Sequence, residues 1–234
     1  MNSQKEDLFS TLKKRKSSGI SAGWLALIIA LLVIVTDQTI KIWIKTHFYL
    51  GEDLEIFPWF HIKFIENNGM AFGLELWSKM ALTIGRIIAV AIFVWFLFKI
   101  KDIKGLRKGF IIAVSLITAG ASGNIFDCIF YGKIFNNPIQ PELATLFTGD
   151  GGYAGWFEGR VVDMLYFPFF DFYWPDWIPL IGGTYYEFFA YIFNIADASI
   201  CIGVVLLLLF YSKDISYSFL ELSKILQEKK SAKV

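Results

Sequence analysis

Phe193-Asn194-Ile195-Ala196-Asp197-Ala198-Ser199-Ile200-Cys201-Ile202-Gly203 sets a carboxamide and a carboxylate inside an otherwise apolar run from Phe188 to Phe210. A run of that length can cross a bilayer core as a helix. At helical spacing Asn194 and Asp197 project from one face, which must then turn toward neighbouring helices and away from lipid. An aspartate near mid-helix costs about 2.5–3.5 kcal/mol on insertion scales. The chain must therefore supply partners for it.

The composition fits a membrane setting. Of 234 residues, 56% are hydrophobic and 18% charged, with a mean hydropathy of +0.53, which sets the chain apart from soluble globular domains. Its 22 basic and 21 acidic residues nearly cancel, so no nucleic-acid partner is expected. Cys128 and Cys201 lie in apolar segments without a C-x-x-C or His/Cys cluster and read as small core residues.

Working outward from the fourth run, three others of spanning length come before it: Gly23 to Ile44, Met80 to Phe98, and Gly109 to about Phe130. The basic cluster Lys13 to Lys16 before the first could imitate a signal peptide. The run is too long for that, lacks a small-residue cleavage site and ends in Asp37-Gln38-Thr39-Ile40-Lys41, so it reads as a membrane helix. The expected fold class is an all-α membrane protein, four transmembrane helices with a small extracytoplasmic β and loop subdomain. A cytoplasmic segment over 1–22 and an amphipathic cytoplasmic tail over 213–234 flank one membrane domain over 23–212.

Charge sets the expected orientation. The loop Lys99 to Lys108 carries five basic residues, which the positive-inside rule assigns to the cytoplasm together with both termini. Loops 45–79 and 131–187 then face outward. In the first, Phe60, Ile62 and Phe64 alternate with His61 and Lys63, the period of a strand. The second holds the aromatic stretch Phe167 to Trp177, whose rings suit the headgroup region.

With that topology Asp37, Asp127, Asp163 and Asp197 all fall toward one leaflet. Asp37 and Lys41, at i,i+4, read first as a buried or snorkelling ion pair. Gly120, Gly123, Asn124 and Asp127 share a helix face, where small residues allow close packing and Asn124 can act as polar glue. Asp163, alone in a loop, would ordinarily be a solvated charge. Asp197 is the hardest to dismiss, because intramembrane carboxylates are functional candidates by default. The only histidines, His47 and His61, share one loop, so neither a zinc site nor a nucleophilic triad is indicated. A carboxylate pair is the chemistry left: two that share a proton can activate water and hydrogen-bond a scissile carbonyl. A non-enzymatic carrier or assembly scaffold is the rival, with the aspartates as relay or packing groups. A relay would string its carboxylates across the bilayer, whereas these cluster.

Five blocks in order resemble the lipoprotein signal peptidases, the signal peptidase II family of bacterial aspartyl peptidases. They are Asp37-Gln38-x-x-Lys41, Asn67-Asn68-Gly69-Met70-Ala71-Phe72, Gly120-x-x-Gly123-Asn124-x-x-Asp127, Val161-Val162-Asp163, and Phe193-Asn194-x-Ala196-Asp197-x-x-Ile200-x-x-Gly203. The resemblance implies a multi-pass enzyme of the bacterial inner membrane, monomeric and without metal or organic cofactor. Its substrate would be a lipid-modified prolipoprotein, cut before the diacylglyceryl cysteine, with membrane lipids around it. The family's catalytic pair matches Asp163 and Asp197. Asp37, Lys41, Asn67, Gly120, Asn124, Asp127 and Asn194 match substrate-binding or dyad-orienting positions. Two departures stand out. Cys128 occupies a position where many members carry arginine, with Arg160 as a candidate replacement, and the connection from Asp127 to Asp163 is stretched, with 136–155 expected to be a surface loop.

Overall fold

In a computed structural model, which describes residues 19–68, 79–147, 149 and 151–231, the elements follow the apolar pattern with one major exception. Helix α1 spans Ala22–His47, α2 Lys79–Ile100 and α3 Lys108–Phe126, the last continuing through a wider π-helical turn, Asp127–Tyr131, to Ile134. These are the three helices long and apolar enough to cross a membrane among the described residues. At about 39 Å, α1 exceeds the hydrocarbon core of about 30 Å.

The exception is the fourth run. Its first part is strand and loop, and its helix, α4, is only Ile195–Phe210, followed after an 87° bend by α5, Ser212–Ser231. Sixteen residues rise about 24 Å, short of a full crossing, so a fourth span exists only if this bent pair is taken together. The expected count of four straight spans is corrected accordingly. Hydropathy cannot separate a buried helix from a strand made of the same residues, and here Tyr185–Phe188 and Ile192–Phe193 are paired in sheets. Asn194 therefore precedes the helix and Asp197 lies in its first turn, which also corrects the expectation of a shared helical face.

The chain divides into two compact units, each considered by itself. The first comprises the described parts of Met1–Val35, Gly85–Gly123 and Ala196–Val234. Its core gathers Ile100, Phe110, Ile111 and Val114 with Ala22 and Ala26 of α1, Phe96 of α2, and Leu207 and Tyr211 near the bend. The bend is pinned electrostatically. Buried Asp214 accepts the backbone N–H of Arg107 at 3.1 Å and its Nε at 2.8 Å, and the Arg107 Nη2 reaches both Asp214 and the Phe210 carbonyl. That charged grip takes up a carbonyl at the end of α4 that the helix itself cannot satisfy.

Two glycines set the α3–α4 contact. A Cβ on Gly120 would collide with the Ala196 carbonyl oxygen, and one on Gly203 with the Ala113 oxygen and Ile117. Positions rising along one helix thus meet positions falling along the other, an antiparallel crossing allowed by small residues. Gly120→Ala is expected to cost about 1–3 kcal/mol of stability in detergent through overpacking. Gly85→Ala, where a Cβ meets nothing within 4 Å, should be neutral or gain up to about 1 kcal/mol from helix propensity. Thermal unfolding of the two variants side by side tests the contact.

The second unit is Thr36–Ile84, as far as described, with Asn124–Ile195. Strands β1 (Asp53–Phe57), β2 (Phe60–Asn67), β3 (Val161–Tyr166) and β6 (Ile192–Phe193) form an antiparallel sheet in the order β1-β2-β3-β6. Strands β4 (Phe170–Tyr173) and β5 (Tyr185–Phe188) form a separate hairpin. The core of the unit packs Ile44 and Phe48, at the end of α1, on Phe64, Val162 and Met164 of the sheet and on Tyr131 and Phe135.

The long connection after Asp127 is mostly exposed over 136–155, as expected of a surface loop, but it is anchored through its backbone. Ala144 is buried in the core, and the N–H groups of Phe147, Tyr153, Ala154 and Gly159 donate to the carbonyls of Ile134, Phe135, Gly132 and Cys128 at 2.7–3.0 Å. These are the carbonyls that a helix end leaves without internal partners. The insertion caps the end of α3, and Gly159 fits because a Cβ there would strike the Asp127 oxygen.

Candidate active site

The second unit assembles most of the polar residues singled out by sequence. Lys41 on α1 is fully buried, and its ammonium donates to Asp37 Oδ2 at 2.9 Å, Asp127 Oδ2 at 2.8 Å and Asn124 Oδ1 at 2.7 Å, using all three protons. Asp37 and Asp127 are also fully buried. An ammonium between two carboxylates in such a place is worth keeping only because every member is hydrogen-bonded.

Gln38 completes this cluster. Its Nε2 donates to Asp127 Oδ1 at 2.8 Å and Asp37 Oδ2 at 3.1 Å, and its Oε1 accepts from the Tyr131 hydroxyl at 3.0 Å. Asp127 and Tyr131, at the two ends of the π-helical turn, both reach α1. Neither Gln38 nor Tyr131 is a candidate from sequence. Gln38 had a signal, a second polar group beside Asp37 in an apolar run, whereas Tyr131 at a run's end had none.

The network continues into the sheet. Asn194 Nδ2 donates to Asn124 Oδ1 at 3.1 Å, to the Val162 carbonyl at 3.2 Å and to Asp163 Oδ1 at 2.7 Å. The Val162 N–H lies 3.4 Å from Asp127 Oδ2. A continuous path of side-chain hydrogen bonds thus runs from Tyr131 through Gln38, Asp127, Lys41, Asn124 and Asn194 to Asp163. Asp163 is not the solvated loop charge its sequence position suggests. It is 2% exposed in β3, opposite Ile65 of β2, because the Val-Val-Asp block forms an inner strand with neighbours on both sides.

Asn194 owes its position to β6, where Phe193 pairs with Leu165 and Ile192 with Tyr166. That short pairing brings the residue after it beside Asp163 and delivers the chain into α4. Asp197, half-buried, belongs to the first unit. Gly120 is also in that unit and acts there as the close-contact glycine of α3.

Arg160 and Asn67 sit on the sheet margin. Arg160 Nη1 donates to Glu66 Oε2 at 2.9 Å and Asn137 at 3.3 Å, and its guanidinium lies 5.1 Å from the Tyr153 ring. Glu66 also pairs with buried Lys45. Burial pushes the Tyr153 phenol above the usual tyrosine range, so its oxygen stays a neutral acceptor for the Arg160 backbone N–H at 2.7 Å. Arg160 thereby ties the insertion to β2. Asn67 ends β2 opposite Val161, and residues 69–72 of its block lie outside the described residues. Cys128 is buried, and its carbonyl accepts the Gly159 N–H at 2.8 Å. Among the described residues no group of three or more His, Cys, Asp or Glu is placed to hold a metal ion.

A family model described as Signal peptidase (SPase) II matches residues 29–213, a stretch that takes in all five blocks. The chain belongs to the signal peptidase II family. A lipoprotein signal peptidase of Porphyromonas gingivalis is 47% identical over 191 residues, covering 82% of this chain and 83% of that one. One from Amoebophilus asiaticus is 36% identical over 187 residues, covering 77% and 75%. Among solved structures, a bacterial membrane enzyme determined by the in meso method at 1.9 Å resolution aligns with a TM-score of 0.52 at 30% identity, covering 78% of this chain and 89% of that one. A second, at 2.3 Å resolution, aligns at 0.54 and 29% identity. As a signal peptidase II family member the chain is a membrane peptidase, with its motif residues built around a small sheet as well as on helices.

Proposed function

We propose that this chain is an aspartic endopeptidase that removes the signal peptide from diacylglyceryl-prolipoproteins, cutting on the N-terminal side of the lipid-modified cysteine, with Asp163 and Asp197 as the catalytic pair. One observation carries the assignment: buried Asp163 accepts the Asn194 amide at 2.7 Å, and Asn194 stands three residues ahead of Asp197, whereas Asp37 and Asp127 share the Lys41 ammonium. A carboxylate committed to an ion pair is a poor proton acceptor. The amide holds the Asp163 carboxylate in a fixed orientation.

In this reading the ionised member of the pair takes a proton from water as the oxygen attacks the scissile carbonyl carbon, and the protonated member hydrogen-bonds the carbonyl oxygen. The tetrahedral species then collapses, breaking the C–N bond, with a proton passing to the departing amine. Two carboxylates sharing one proton suffice for this, because like charges in contact cannot both ionise cheaply. The five basic residues of 99–108 support cytoplasmic termini, placing the reaction toward the outer leaflet of the bacterial inner membrane, and the enzyme works as a monomer. The substrate's acyl chains remain in lipid while the peptide reaches the pair.

Purified protein incubated with a diacylated precursor should release the signal peptide and leave a mature chain beginning with the modified cysteine, read by mass spectrometry. An intact precursor, or a cut elsewhere, would sink the assignment. Asn194→Ala removes the donor that orients Asp163 and should lower kcat by about tenfold or more with little change in KM, the pattern of a positioning loss. An unchanged kcat would remove Asn194 from the mechanism.

A further inference from the structure

The β4–β5 hairpin is amphipathic in a way that the proposed peptidase chemistry does not use. Its register pairs Phe170 with Phe188 and Phe172 with Tyr186 on one face, and Asp171 with Glu187 and Tyr173 with Tyr185 on the other. Side chains alternate across a strand, so the first face is wholly aromatic and the second carries both carboxylates. The rings of the aromatic face pack on one another, Phe170 stacked on Phe188 at 4.7 Å and Phe172 tilted against Tyr186 at 5.3 Å. The face is nevertheless open to the surroundings: Phe170 is 53% exposed and Phe188 41%. On the acidic face Glu187 accepts the Tyr166 hydroxyl of β3.

The aromatic surface continues beyond the hairpin. Ring contacts step from Phe188 to Phe169 at 6.4 Å, to Phe167 at 6.0 Å and to Trp59 at 6.3 Å. Phe169 and Trp59 are each about half exposed. At the hairpin tip Trp177 is 80% exposed and Leu180 fully so. Contiguous apolar exposure on this scale marks an interaction surface.

We propose that this face is a second membrane-contacting element, lying flat in the interfacial layer of a lipid bilayer with Trp177 at its leading edge. Three observations choose lipid over a second copy of the chain. The sheet beside the hairpin packs on Ile44 and Phe48, at the end of a helix long enough to cross the bilayer, so this unit is tethered at the membrane boundary. The exposed groups are rings, several with polar tips, the chemistry that settles among headgroups. Both strand carboxylates lie on the opposite face, away from lipid phosphates.

The test uses the full chain in phosphatidylcholine nanodiscs. Trp177→Phe removes one of eight indoles at an exposed turn, so the emission difference between the two proteins isolates that ring. With lipids brominated high on the acyl chain, the Trp177 emission should fall by about half or more, while aqueous iodide leaves it nearly unchanged, as for an indole in the interfacial belt. Quenching by iodide with no response to brominated lipid would overturn the proposal. So would efficient pairwise cross-linking of a Trp177→Cys variant between copies, which would make the face a protein interface.

Discussion

Purified Asp163→Asn protein is expected to process a diacylated precursor at less than about a thousandth of the wild-type rate, the scale set by removing a general acid–base group. Asparagine keeps the size of the side chain and can still meet the Asn194 amide after a flip, so the sheet should survive and the thermal midpoint should move little. What disappears is the ability to exchange a proton with water. Asp197→Asn should do the same, since either member alone leaves no shared proton. Removing both should cost hardly more than removing one, because groups acting as a unit are not additive. Substantial turnover in either single variant would end the carboxylate-pair mechanism. Asp37→Asn is the control, and its loss should be much smaller, because Asp37 serves as a partner of Lys41.

Lys41→Met should have the largest effect on stability. It removes a cation that meets three acceptors and leaves Asp37 and Asp127 buried without their shared countercharge. Breaking one side of a buried ion pair costs about 3–5 kcal/mol. The unfolding midpoint in detergent should drop sharply. The double change Lys41→Met with Asp127→Asn should recover part of the loss, because it removes one of the stranded charges. If the single variant unfolds like wild type, Lys41 is not the electrostatic centre of this network. If the double variant is no better than the single one, lost packing outweighs lost charge.

The polar positions were legible in the sequence because apolar runs make each polar residue conspicuous. Asp37 and Lys41 read as an ion pair from spacing alone, and the pair is present. The same pair also binds Asp127 and Asn124, and no spacing rule connects residues more than eighty positions apart. The reading of Phe188 to Phe210 as one helix failed for a definite reason. Pairing with β3 is a long-range contact, and residues 192–193 are apolar enough for helix or strand. The same blindness made Asp163 look like a surface charge, because its burial depends on strands contributed from far along the chain on both sides. The anchoring of the insertion is illegible for a related reason: its contribution is backbone N–H groups, which every residue carries and no sequence pattern advertises.

By itself, the sequence determined the membrane setting, the polar residues that chemistry needs and the order of the blocks, since each is a property of local composition and spacing. Only the tertiary structure decided which aspartates are held by Lys41, that Asn194 serves Asp163 from outside the helix, and that an aromatic face stands apart from an acidic one. Those outcomes depend on strand register and on the burial of charge, and both are settled by what distant segments bring to the same place.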